Sequence, residues 1–210
     1  MCGIFGYMGS KRATPILIDG MRRLEYRGYD STGIAVKDGD ISVFKKVGKV
    51  SEMQSILPLN IQGTSGIGHT RWATHGGVTD ANAHPHASAS GDVVIVHNGI
   101  INNSRLLRAS LMAQGIELKS ETDSEALAHM IEIELAIDDN PEAAVRRALQ
   151  KAVGTWGLCV LFKNHDLIVV ARNGSPLVIG KGDGETFISS DGPTLSEFTD
   201  RVVYLEDGDI

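Results

Sequence analysis

The 210-residue sequence predicts an α+β protein, with antiparallel sheets covered on their faces by helices. Three observations predict it. Short β-rich runs outnumber helical stretches, hairpin signals join neighbouring runs, and the helices do not alternate strictly with strands. A chain of this length is one domain or a generous two, and it can bury a core without staples.

Runs at residues 4–8, 33–36, 42–47, 66–70, 93–96, 157–162, 167–171, 187–189 and 202–205 read as strands. Asp38-Gly39 and Asn164-His165 lie between such runs as hairpin turns, the first being the stronger signal. Thr14-Pro15, a capping residue and a first-turn proline, starts a helix running to about Leu24. Residues 106–112 suggest a second helix, and Leu127, Met130, Ile131 and Leu135 mark a third. Asn140-Pro141-Glu142 starts a fourth, in which Val145, Ala148, Leu149, Ala152 and Val153 follow the apolar helical spacing. These stripes read as core faces. Residues 202–210 read as a strand, an Asp207-Gly208 turn and two residues of a return strand, so the chain is expected to be a piece of something longer.

Composition narrows the function. A net charge of -6 and a pI near 5.6 argue against a nucleic-acid or anionic-membrane partner, and no apolar run has the length of a membrane span. The two cysteines are Cys2 and Cys159. Cys159 lies in an apolar run and reads as a small buried hydrophobe, so a reducing, cytoplasmic setting is expected. Glycine is abundant, yet residues 174–181 and 180–184 fail the phosphate-loop and dinucleotide spacings, and no cofactor is expected. His69, His75, His84, His86 and His97 cluster without a metal-ligand spacing. They read as structural histidines, with no metal.

The densest stretch is Gly68-His69-Thr70-Arg71-Trp72-Ala73-Thr74-His75-Gly76-Gly77, directly after a strand. It reads as a hinged, ligand-gripping loop whose arginine offers a planar fork to a carboxylate. Asn98-Gly99 closes another strand, where a side-chain N–H and an unobstructed backbone N–H could form an oxyanion hole; alone, the pair reads as a turn. Asp123 suits a helix N-cap and could also accept an ammonium. Cys2 needs a base to act as a nucleophile. Removal of Met1 would supply one, an α-amino group with a pKa of about 7.7–8.0.

At this point the residues resemble a family. Met1-Cys2-Gly3-Ile4, Tyr26-Arg27-Gly28-Tyr29-Asp30-Ser31, residues 69–76, Asn82-Ala83-His84-Pro85-His86, His97-Asn98-Gly99 and Glu121-Thr122-Asp123 are similar to the glutaminase domains of glucosamine-6-phosphate synthases, in the same order. Tyr26 to Asp30 and Trp72 separate the chain from amidophosphoribosyltransferases. The resemblance implies an N-terminal-nucleophile hydrolase fold, a four-layer αββα sandwich. It also implies that Cys2 attacks the glutamine side-chain amide, Asn98 and Gly99 stabilise the oxyanion, and a thioester forms. Arg71 and Asp123 would bind the substrate's α-carboxylate and α-ammonium, with Thr74 and His75 assisting and Trp72 closing over it; Arg27 and His84 would support the site.

By the same resemblance residues 1–210 form a glutaminase domain whose partners are glutamine and the sugar-isomerising domains of a full-length, homo-oligomeric enzyme, absent here. Two rivals stand beside it. One is a Cys-His-Asn thiol hydrolase using Cys2, a clustered histidine and Asn98. The other is a non-catalytic glutamine-binding module using only Arg71 and Asp123.

Overall fold

Residues 2–73 and 76–210 are described by a computed structural model. In chain order its first strands are β1 (Gly3–Met8), β2 (Ser31–Asp38), β3 (Asp40–Val47), β4 (Ser65–Arg71), β5 (His86–Ala87) and β6 (Val93–Ile101). They are followed by β7 (Gly154–Phe162), β8 (Ile168–Asn173), β9 (Val178–Lys181), β10 (Thr186–Ser189) and β11 (Val202–Tyr204). The helices are α1 (Ala13–Leu24), α2 (Val50–Gln54), α3 (Ser104–Ala113), α4 (Asp123–Asp138) and α5 (Pro141–Lys151). One sheet runs β11-β9-β10-β1-β4-β2-β3 and the other β5-β6-β7-β8, with antiparallel neighbours throughout. Among the described residues, no helix is long and apolar enough to cross a membrane.

Period-two alternation builds the layers. On the larger sheet Phe5, Tyr7, Ile34 and Val36 point outward and pack with Leu17, Met21, Val50 and Met53 of α1 and α2. On the smaller sheet Val93, Ile95, Leu158, Val160 and Phe162 face the helices, notably Leu127 and Ile131 of α4 and Val145 and Leu149 of α5. The residues between them, Ile4, Ala35, Ile67, Val94, Val96, Cys159 and Leu161, meet in a third core between the two sheets. The architecture is therefore a four-layer αββα sandwich. Gly66 and Gly68 let α1 close on β4, because a Cβ there would stand 2.8 Å from Leu17 and 2.5 Å from the Met21 sulfur.

The Asp38-Gly39 turn closes β2 onto β3, with Gly39 at φ 71°, and Asn140 caps α5 by accepting from the Ala143 amide. Other local expectations need correction. Thr14 does not cap α1; the cap position is Arg12, without a side-chain bond, and the Thr14 hydroxyl is buried inside the helix. Thr122, not Asp123, caps α4. Val153 is 59% exposed because α5 ends at Lys151 and the extended backbone of Ala152 turns the chain off the stripe. On α3, Leu106 and Met112 are exposed and Leu111 alone is buried. Strand β9 falls in the stretch read only as a failed phosphate loop, and strands on both of its edges hold it. The residues after Asp207-Gly208 do not return along β11. They bond Arg172 of β8 instead, and Ile210 packs against the helix-side core.

Candidate active site

The same alternation selects the site. Continuing Ile4 back by two gives Cys2; continuing Ile67 gives His69 and Arg71; continuing Val94 and Val96 gives Asn98. These chain positions converge at one end of the layer between the sheets. The Cys2 sulfur lies 3.2 Å from the Trp72 amide, which donates to it, and 3.4 Å from the Trp72 carbonyl. Burial pushes the Cys2 thiol pKa up, partly offset by the Trp72 backbone, the charge of the chain's N-terminus and the Arg71 charge.

Asn98 and Gly99 are not a turn. Strand β6 continues through them to Ile101, paired with β7 at Asn98↔Gly157 and Gly99↔Trp156. The Asn98 side-chain NH₂ donates to the Cys2 carbonyl at 3.2 Å, and its oxygen lies 2.9 Å from His69 Nε2. Gly99 has φ 142°, and a Cβ would stand 2.1 Å from the Thr155 oxygen, so only glycine fits here. Arg71, Asp123, Cys2 and Gly99 line one small cavity of about 40 Å³ with His69 and His84. Asp123, in the first turn of α4, accepts the Ile101 amide at 2.7 Å. One cation, one anion and one thiol thus share a cleft.

The loop around Arg71 is held from several sides. Arg71 Nη1 donates to the Gly77 carbonyl at 3.2 Å, as does the Asn82 side chain at 3.1 Å. Asn82 also exchanges hydrogen bonds with Glu121, through its NH₂ at 3.1 Å and its oxygen at 2.9 Å. Asp30 accepts from Ala73 N at 2.9 Å, and Tyr29 stands edge-on to Trp72 with ring centroids 5.5 Å apart. Trp72 is 43% exposed at the rim. Arg27 donates to the Cys2 carbonyl at 3.4 Å and pairs with Asp191 at 3.1 Å. Thr74 and His75, expected to assist, lie outside the described residues.

The described members of the histidine cluster lie close to the site but meet groups other than the Cys2 sulfur. His97, facing α4, lies 3.2 Å from the Thr155 carbonyl through Nε2, so that nitrogen carries the proton and Nδ1 accepts from Ser124 at 2.8 Å. His86 meets Thr122 at 3.0 Å, and His84 stacks on His69 with centroids 4.2 Å apart. Burial depresses the proton affinity of all four, His69 to about 3. Among the described residues, none of these rings is a hydrogen-bond partner of the Cys2 sulfur, which the Cys-His-Asn alternative requires. Lys45 donates to the carbonyls of Ala81, Ala83 and Pro85, anchoring the segment that carries His84; burial lowers its pKa to about 8.

The partners of Asp30 and Glu121 are not legible in the sequence, because Asp30 bonds the Ala73 amide and Glu121 bonds the Asn82 side chain, both distant along the chain. His69 had a signal available, the alternation Ile67-His69-Arg71 that places it between the sheets.

The description "glutamine amidotransferase domain" matches residues 69–197. The chain is 50% identical, over 219 aligned positions, to the glutamine–fructose-6-phosphate aminotransferase (isomerizing) of Chlorobaculum tepidum, covering all of this chain and 35% of that protein. The enzyme of the same name from Thermus thermophilus is 50% identical over 212 positions, and that from Thermococcus kodakarensis 45%, with the same coverage. Among solved structures, glutamine phosphoribosylpyrophosphate amidotransferase from B. subtilis, complexed with ADP and GMP, superposes with a TM-score of 0.82 at 26% identity, over 99% of this chain and 46% of that one. An allosteric regulatory enzyme of purine biosynthesis gives 0.84 at 26% identity, over 98% and 44%.

Proposed function

The chain belongs to the glutamine amidotransferase domain family, and we propose that it cleaves the side-chain amide of glutamine through a thioester on Cys2. The observation that carries this reading is the shared cleft, in which Cys2 faces Arg71 and Asp123. Glutamine presents a carboxylate, an ammonium and a neutral amide. Arg71 takes the first, Asp123 the second, and the amide carbon is left against the thiol.

A thiol nucleophile needs a base to take its proton, and the α-amine freed by loss of Met1 is the group nearest in the chain. The amine takes the thiol proton as sulfur bonds to the amide carbon. Asn98 Nδ2–H and Gly99 N–H receive the developing oxyanion. Collapse breaks the C–N bond, the protonated amine gives its proton to the leaving nitrogen, and ammonia departs. Water then attacks the thioester with the amine again accepting a proton, and glutamate leaves as the thiol is restored. Arg27 and His84 brace this machinery, and Trp72 covers the bound substrate.

The chain spans 35% of the length of the curated relatives it matches. In a longer protein of their kind, ammonia would pass to a sugar phosphate bound by further domains in an oligomer, yielding an amino sugar. Identity of 45–50% along the whole chain supports that setting.

The test is glutamate release from glutamine, with the N-terminus defined by intact mass. Met1-free protein should be active, and protein carrying one extra residue before Cys2 should be inactive. Equal activity in both would remove the α-amine from the mechanism. Turnover by Cys2→Ala would remove the thioester.

A further inference from the structure

We propose that His69 is a positioning residue that fixes the orientation of the Asn98 carboxamide and thereby decides which of its two ends faces the reacting carbon. The inference rests on the oxyanion role proposed above for Asn98.

A carboxamide is nearly symmetric in shape but not in chemistry, and a half-turn about its last bond exchanges a double donor for an acceptor. Nothing in the Asn98 side chain itself selects one orientation. The surroundings do. On one side lies the Cys2 carbonyl oxygen, 3.2 Å from Nδ2, which can only accept. On the other lies His69 Nε2, 2.9 Å from Oδ1. Asn98 stands on the smaller sheet, His69 on the larger one and Cys2 directly before the larger sheet's β1, so the amide is clamped across the space between the sheets.

The imidazole must therefore present N–H at Nε2. Burial keeps His69 neutral, with an affinity lowered to about 3, so it carries one ring proton at working pH. Its other nitrogen, Nδ1, is buried without a hydrogen-bond partner. Moving the proton there would set two acceptors against each other at Asn98. Flipping the amide instead would oppose two donors at His69 and two acceptors at Cys2. Either change loses paired hydrogen bonds in a buried setting, where an unmade bond is expensive. The His84 ring, stacked at 4.2 Å, holds the plane of His69, and Lys45 anchors the backbone on both sides of His84.

The experiment measures kcat and KM for glutamate release by the 210-residue chain with Met1 removed. Wild type is compared with His69→Phe, His69→Gln, Asn98→Ala and the His69→Phe/Asn98→Ala pair, each checked for folding by its thermal transition. Phenylalanine keeps a ring against His84 and removes the donor. Glutamine places an amide N–H near the former Nε2.

His69→Phe should lower kcat by about 10- to 100-fold, part of the roughly 10²–10³ expected for losing the oxyanion donor itself, with KM changed less than about threefold. His69→Gln should recover to within about fivefold of wild type. In the Asn98→Ala background His69→Phe should cost nothing further, because its effect runs through that side chain. Equal losses in both backgrounds, or a change confined to KM, would overturn the proposal. If His69→Phe does not fold, His69→Gln decides: a loss as deep as that of Asn98→Ala would overturn it. Wild-type kcat in Asn98→Ala would show instead that the oxyanion role is wrong, and the positioning role falls with it.

Discussion

Gly28 lies against the peptide that joins Arg71 to Trp72: a Cβ at position 28 would stand 2.7 Å from the Arg71 carbonyl carbon and 2.8 Å from the Trp72 nitrogen. That nitrogen is the one that donates to the Cys2 sulfur. Gly28→Ala should therefore push the loop off the Cys2 sulfur. Overpacking of this kind costs about 1–3 kcal/mol. The expected outcome is a loss of at least about tenfold in kcat/KM, on the same energy scale, with a modest drop in Tm. A variant with wild-type kcat/KM would mean that the loop has room to yield.

Arg71→Ala should act on binding. A charge-assisted hydrogen bond is worth about 1.5–3 kcal/mol, so KM for glutamine should rise by roughly 10- to 150-fold while kcat at saturation changes little. Arg71→Lys should fall between, since an ammonium cannot form the two-pronged contact. Steady-state kinetics over a wide glutamine range checks both.

The Cys2 thiol should be protonated at rest. Burial raises its pKa, so the thiolate absorbance near 240 nm, taken as the difference from Cys2→Ala, should have its midpoint above the ordinary thiol value of about 8.5. A midpoint below 7 would show a preformed thiolate, and the α-amine would have no thiol proton to take.

Glu125 carries a prediction about acid stability. Burial pushes its pKa up, but His129 at 3.8 Å and the hydrogen bonds from Lys119 N and from Ser120 more than offset this and hold it at about 2. A carboxyl depressed by folding stabilises the protein above its unfolded pKa of about 4.3 and loses that contribution as pH falls toward 2. Glu125→Gln should thus be less stable than wild type by about 3 kcal/mol at pH 7. The gap should narrow below pH about 4.5 and close near pH 2. Urea unfolding at pH 3, 5 and 7 measures it.

Much of the architecture was legible because it rests on period-two alternation and turn chemistry, both local. The runs around Ile4, Ile34, Ile67, Val94 and Cys159 are strands, and Asn140-Pro141 starts a helix. The misses are tertiary. Nothing local distinguishes Thr14 inside a helix from Thr14 capping one when the Ala13 amide is satisfied by the Gly63 carbonyl. Likewise Asn98-Gly99 has the composition of a turn and stays in a strand because β7 pairs with it. Of the site, motif order pointed to Cys2, Arg71, Asn98 and Asp123, which the fold gathers at one cleft or its edge. The partners that fix them, Asp30, His69, Asn82 and Glu121, act through contacts made 29 to 43 residues away along the chain.

The placement of His69 on one sheet, with Cys2 directly before its β1, and of Asn98 on the other has a mechanical consequence. The alignment of Cys2 with Asn98 depends on how two plates rest on each other, and the plates touch through Ile4, Ile67, Val94, Val96 and Leu161. That seam is apolar packing without a hydrogen-bonded register, whereas a hydrogen bond across it tolerates only a few tenths of an ångström. Turnover is therefore a more sensitive gauge of the seam than any measure of helix content. Val96→Ala, a truncation buried between the sheets, should make activity fade on warming several degrees before the circular dichroism signal moves.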